Sequence, residues 1–114
     1  VHLIGGHTRG LQAVRVWTRV GWLVLASDSS HYYANMDEGR PFPIVADVMR
    51  MVDGWRRLRA LASAPQHVVP GHDPAVMLRY APGDPTLDGI AVRLDAEPLV
   101  PGPAGGAARS PSRL

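Results

Sequence analysis

Cysteine is absent from the 114 residues, and so is lysine. Without thiols, a disulfide framework and any thiolate metal site are excluded, and a cytoplasmic location is the expectation. Without lysine, all 12 basic residues are arginine, and they are scattered except for Arg56-Arg57-Leu58-Arg59. The pI of about 9.7 therefore reflects arginine content, since the net charge is only +2. That balance, in a chain also rich in Ala, Gly, Val and Pro, fits biased codon usage better than phosphate binding, so no nucleic-acid partner is expected. Long apolar runs are missing too. The longest, Val20 to Ala26, is interrupted by Gly21 and falls far short of the ~20 residues that cross a bilayer, so no membrane partner is expected either. The chain opens Val1-His2-Leu3 with neither an initiator Met nor a basic leader. It reads as the C-terminal part of a longer frame. What is present is enough apolar material, 46%, for one core.

In chain order, Val1 to Ile4 reads as the end of a strand and Gly5 to Gly10 as a loop. Leu11 to Thr18 and Trp22 to Ala26 read as a hairpin turning near Val20-Gly21, the second strand lying inside a sheet. Ser27 to Asn35 reads as a loop or one helical turn, and Met36 to Pro43 as an irregular connection. The clearest helix runs from Pro43 to Ala62, with a stripe at Ile44, Val48, Val52, Trp55, Arg59 and Ala62, broadened by Val45, Met49 and Leu58. Arg56, Arg57 and Arg59 read as its solvated face. His67 to Pro70 follows as a short strand, Pro74 to Tyr80 as a short helix and Gly89 to Leu94 as a last strand. Beyond Glu97, Pro, Gly, Ala and Ser prevail. Residues 1–95 are expected to form one layered α/β (α+β) unit with an incompletely covered sheet, and 96–114 a disordered tail.

Three apolar runs end in a polar tip: Leu3-Ile4-Gly5-Gly6-His7, Leu25-Ala26-Ser27-Asp28 and Val68-Val69-Pro70-Gly71-His72. A strand end is where a rigid scaffold delivers a side chain into a cleft. Two imidazoles and a carboxylate are ligand chemistry for zinc and similar metals. Taken singly, each has an ordinary reading. His7 and His72 fit surface turns, and Asp28 fits a cap on the turn Ser27 to Ser30. Asp73 suits either orienting a ligand or capping the helix after Pro74. His2 and His67 suit surface or supporting roles.

Taken together, the segments resemble the C-terminal half of the metallo-β-lactamase superfamily, and most closely its N-acyl homoserine lactonase-type members. Gly6-His7-Thr8-Arg9-Gly10 is similar to the Gly-His-Thr-x-Gly segment, Leu25 to Asp28 to the strand ending in the metal-bridging Asp, and Val69 to Asp73 to the last ligand segment. The intervals, 21 residues from His7 to Asp28 and 44 from Asp28 to His72, match as well.

The resemblance implies an αββα sandwich holding two divalent metal ions, usually zinc. It makes His7 a ligand of the first, His72 of the second and Asp28 the bridge. It also implies a hydroxide shared by the two metals that attacks a small lactone or ester, the chemistry of quorum quenching. The His-x-His-x-Asp-His segment that supplies the other ligands has no counterpart here and is expected upstream, so the isolated chain is expected to bind metal weakly or be inactive. Where lactonases carry a carbonyl-assisting Tyr three residues after the bridging Asp, this chain has His31, followed by Tyr32 and Tyr33. His31 could polarise or protonate the substrate, a neighbouring Tyr could shift in, or the segment could line the rim. Zinc β-lactamase and glyoxalase II branches fit less well, lacking Cys and the lysine-bearing C-terminal region respectively. The rival functions are a non-catalytic interaction module of the same fold and a nucleic-acid-binding branch. A homodimer is the expected assembly, through the exposed sheet face.

Overall fold

The computed structural model describes residues 1–100. The sheet has four strands in the order β1 (His2–Leu3), β2 (Gln12–Thr18), β3 (Gly21–Leu25) and β4 (Val68–Val69). β1 and β3 each pair antiparallel with β2, whereas β4 runs parallel to β3 in the register Val24↔Val68 and Leu25↔Val69. It follows that β1, β3 and β4 all point the same way. Their C-terminal ends share one edge of the sheet.

One helix covers one face. α2 (Val48–Leu61) packs Met51, Trp55 and Leu58 against Ala13, Val24 and Val68, with Ile4, Ala26 and the shorter α1 (Tyr33–Glu38) contributing Met36. Each such apolar side chain taken from water contributes on the order of 1.5–3 kcal/mol. The buried stripe is therefore Met51, Gly54, Trp55 and Leu58, and the helix is shorter than the expected span from Pro43. Ile44, Val48 and Met49 are exposed. The reason lies at the N-terminus. Asp47 caps the helix by accepting from the Arg50 N–H, while the main chain of Ala46 and Asp47 is already committed to the carbonyls of Gly6 and His7.

Gly54, unfavourable by helix propensity, has a packing purpose: a Cβ there would sit 2.7 Å from Cγ2 of Ile4. Two of the three arginines read as solvated make ties instead. Arg57 donates to the Leu3 carbonyl and Arg59 to the Met36 carbonyl and Asp37, leaving Arg56 in an exposed pair with Asp53. The last expected strand, Gly89 to Leu94, forms only one antiparallel bridge, Val92 to Pro82, and its first residues, Gly89 and Ile90, lie in a turn. α3 (Ala75–Arg79) is the short helix after Pro74. Within 96–100, Glu97 approaches His67 and the Leu99 N–H donates to the Arg79 carbonyl; 101–114 of the proposed tail lie outside the described residues. No helix among the described residues is long and apolar enough to cross a membrane.

Candidate metal centre

Three tips emerge at the shared C-terminal edge of β1, β3 and β4, the usual address for ligands in open α/β sheets. The first begins where β1 ends. Ile4 and Gly5 both donate to the Leu11 carbonyl, and Gly5 and Gly6 take positive φ of 76° and 93°. Only glycine adopts that backbone cheaply. A Cβ on Gly6 would also stand 2.7 Å from the main chain of Met51, so α2 presses directly on this loop. The bend delivers His7, whose Nδ1 donates to the Ile44 carbonyl at 2.6 Å. That bond leaves the Nε2 lone pair facing the site.

The second tip is the 3-10 turn Ser27–Ser29 after β3. Ser27 has φ of 50°, a left-handed conformation that non-glycine residues hold only where surroundings enforce it. Here the enforcement is visible: the Trp55 indole N–H donates to the Ser29 carbonyl at 2.6 Å. The third tip follows β4. The Gly71 N–H donates to the Ser30 carbonyl and the His72 N–H to the His31 carbonyl, both at 2.9 Å. A Cβ on Gly71 would fall 2.8 Å from the Ser27 carbonyl oxygen, so glycine is what lets the two tips lie against each other.

The result is one cluster. His72 Nε2 lies 2.6 Å from Asp28 Oδ1, and His7 Nε2 lies 3.6 Å from Asp28 Oδ2, so each carboxylate oxygen faces a different imidazole. His31 Nε2 is 4.0 Å from Asp28 Oδ1. One donor atom each from Asp28, His31 and His72 lie within 4.8 Å of one another, a spacing that a metal ion can span. The donor chemistry fits such an ion: imidazole nitrogens, with the Nδ1 of His7 committed to a carbonyl, around a carboxylate. Burial, and next the His72 charge, push the His31 pKa below the ordinary imidazole value against the opposing pull of Asp28, which favours the neutral, lone-pair-bearing form.

Of the other residues singled out by sequence, Tyr32 is exposed at the rim, its ring edge-on to His31 at 6.5 Å between centroids. Tyr33 is buried, with the Arg79 guanidinium over its ring at 3.5 Å. Asp73 spends both carboxylate oxygens on main-chain N–H groups, of Tyr33 and Ala75, which is the capping alternative. His67 is buried beside Glu97 and lies off the surface. Phe42 was not anticipated. Its ring stacks on His31 at 3.7 Å and 11°, and stands 5.9 Å from His7. The available signal was the chain's one phenylalanine held in a Pro41-Phe42-Pro43 frame.

No protein-family model matches the sequence, and neither does any curated protein. Among solved structures, the chain is similar to an N-acyl homoserine lactone hydrolase with the product N-hexanoyl-L-homoserine bound at its catalytic metal centre, at 23% identity and a TM-score of 0.56. It is also similar to a mutant of B. thuringiensis AiiA with N-decanoyl-L-homoserine bound at the active site, at 23% identity and a TM-score of 0.57. Both matches cover 65% of this chain and 30% of the other. The mixed sheet with its helices is thus the lactonase fold as far as it extends, and the chain spans under a third of those structures' length.

Proposed function

We propose that this chain is the C-terminal, metal-binding portion of a hydrolase that opens lactones or cleaves esters. The observation that carries the reading is the convergence of His7, Asp28 and His72 at one sheet edge, with the two oxygens of Asp28 turned to different imidazoles. In this reading His7 and His72 each hold one of two divalent metal ions, zinc by donor type, and Asp28 serves both. Bound metal supplies Lewis acidity and a nucleophilic water at neutral pH. The chain's own residues do the rest. The Ile44 carbonyl keeps His7 in its ligating tautomer, and the Trp55–Ser29 bond fixes the turn that aims Asp28. Phe42 walls one side of the cleft with an apolar face. His31 or the exposed Tyr32 is positioned to orient a substrate carbonyl. Two metals require more donors than these residues offer, so the remainder come from a His-x-His-x-Asp-His segment upstream in the complete protein.

The test is metal content and turnover of the gene product extended upstream. About two metals per protein with hydrolysis of lactones or simple esters is the expected result. Asp28→Ala should lower both metal content and turnover more than any other single change, because it touches both sites. Retention of metal and activity by that variant would remove the bridging assignment. Absence of metal from the extended protein would favour a non-catalytic interaction module of the same fold.

A further inference from the structure

The geometry points to a single-metal site built by this chain alone, in which His31 is a ligand: His31 and His72 supply two imidazoles and Asp28 a carboxylate, their donor atoms all within 4.8 Å of one another. It rests on the hydrolase reading for Asp28 and His72 and adds a third ligand that the resemblance does not supply, since the corresponding lactonase position carries a tyrosine.

His31 is placed as a donor rather than as a rim residue. Its Nε2 points to Asp28 Oδ1 but stops at 4.0 Å, beyond hydrogen-bond distance, while its ring is T-shaped to His72 at 4.6 Å and to His7 at 6.0 Å between centroids. Phe42 lies flat on it, and its carbonyl is held by the His72 N–H. Ring plane and backbone are therefore both fixed before any ion arrives, which is what a ligand needs. A tetrahedral ion with ligand bonds of about 2.0–2.2 Å keeps its donors roughly 3.4 Å apart. The spacings here, 2.6 Å from His72 Nε2 and 4.0 Å from His31 Nε2, both to Asp28 Oδ1, bracket that value. The short one is free to lengthen, because His72 is the most exposed of the group.

Two imidazoles and one carboxylate, with the fourth position left to water, make a borderline donor set, suited to zinc, cobalt or nickel and poorly matched to magnesium or calcium. With His31 engaged on the metal, the substrate-orienting position passes to Tyr32.

The 114-residue chain should be titrated with cobalt(II) under visible absorption, with magnesium as control and far-UV circular dichroism to follow folding. One equivalent should bind with the intense bands of a four-coordinate ion, magnesium should not displace it, and His31→Phe should weaken binding roughly tenfold or more. On the unmutated chain, zinc should shift the ring-nitrogen NMR signals of His31 together with those of His72. Equal binding by the His31→Phe variant, unshifted His31 nitrogens, a folded chain that takes up no cobalt, or a chain unfolded with and without cobalt would each overturn the proposal. The two readings fail separately. One cobalt bound through His31 with no hydrolysis by the extended protein strikes only the hydrolase reading. Two metals and full turnover in an extended protein indifferent to His31→Phe strikes only this one.

Discussion

Gly6 and Gly10 stand in one loop and should respond oppositely to a methyl group. At Gly6 the φ of 93° and the Met51 main chain 2.7 Å from a built Cβ both oppose a side chain, whereas nothing lies within 4 Å at Gly10. Gly6→Ala should destabilise by about 2–4 kcal/mol and Gly10→Ala by no more than about 0.5 kcal/mol, read from chemical denaturation midpoints. Similar losses at the two positions would contradict the packing of α2 on this loop. Tyr33 sets a pH limit at the same scale. Burial, with Tyr80 adding to it and the Arg79 guanidinium opposing, pushes its pKa up to about 12. The folded state therefore favours the neutral phenol. That stability is complete below pH about 10, the unfolded value, and is lost as pH rises through about 12. Tyr33→Phe should flatten the alkaline decline in stability between those values. An unchanged slope would mean that Tyr33 is not the buried phenol responsible.

Among the elements, α2 shows where local rules and packing conflict. Helix propensity alone makes Gly54→Ala stabilising by about 1 kcal/mol. The Ile4 methyl 2.7 Å from the new Cβ reverses the sign, and a loss of about 1–3 kcal/mol is expected in thermal melts. A stabilised Gly54→Ala variant would show that β1 can retreat from the helix. The same helix explains what was legible in sequence. The hairpin is legible because Leu11 to Thr18 is rich in β-formers and Trp22 to Ala26 is continuously apolar on either side of Val20-Gly21, and the three tips because apolar runs end in His or Asp. The start of α2 was misread at Pro43 because Ile44, Val45, Val48 and Met49 continue the helical period, although the first two lie outside the helix and Ile44, Val48 and Met49 face solvent. Asp47, a good cap residue three before Arg50, is the mark of the true start. α1 is only half legible, as the helical turn left open for Ser27 to Asn35, because its start rests on a Tyr32–Asn35 capping pair that no periodicity announces and its second half runs into the stretch read as irregular. The His31–Phe42 stack joins two connections with no regular pattern, so only the folded chain could bring it to light.

At the scale of the whole molecule, the sheet face opposite α2 is buried at Leu23 and Val69 but open over β1 and β2. Leu3, Val14 and Val16 share the face opposite α2 and remain 41–47% exposed. If the upstream half of the proposed hydrolase lies on that face, the paired change Val14→Lys and Val16→Lys should have contrasting effects. In the 114-residue chain the melting temperature should hardly move, because exposed substitutions cost within about 0.5 kcal/mol. In the extended protein the same pair should destabilise severely, by burying unpaired charge. Equal tolerance in both would leave the face open in the complete protein.

Two bonds across the seam between the tips, Gly71 to Ser30 and His72 to His31, join main-chain atoms only. A change of side chain at 31 leaves both bonds in place. The position can therefore exchange one functional group for another between generations without unpicking the pocket around it. A lineage on this scaffold could trade a phenol for an imidazole in a single inherited step, keeping the architecture and altering only the chemistry.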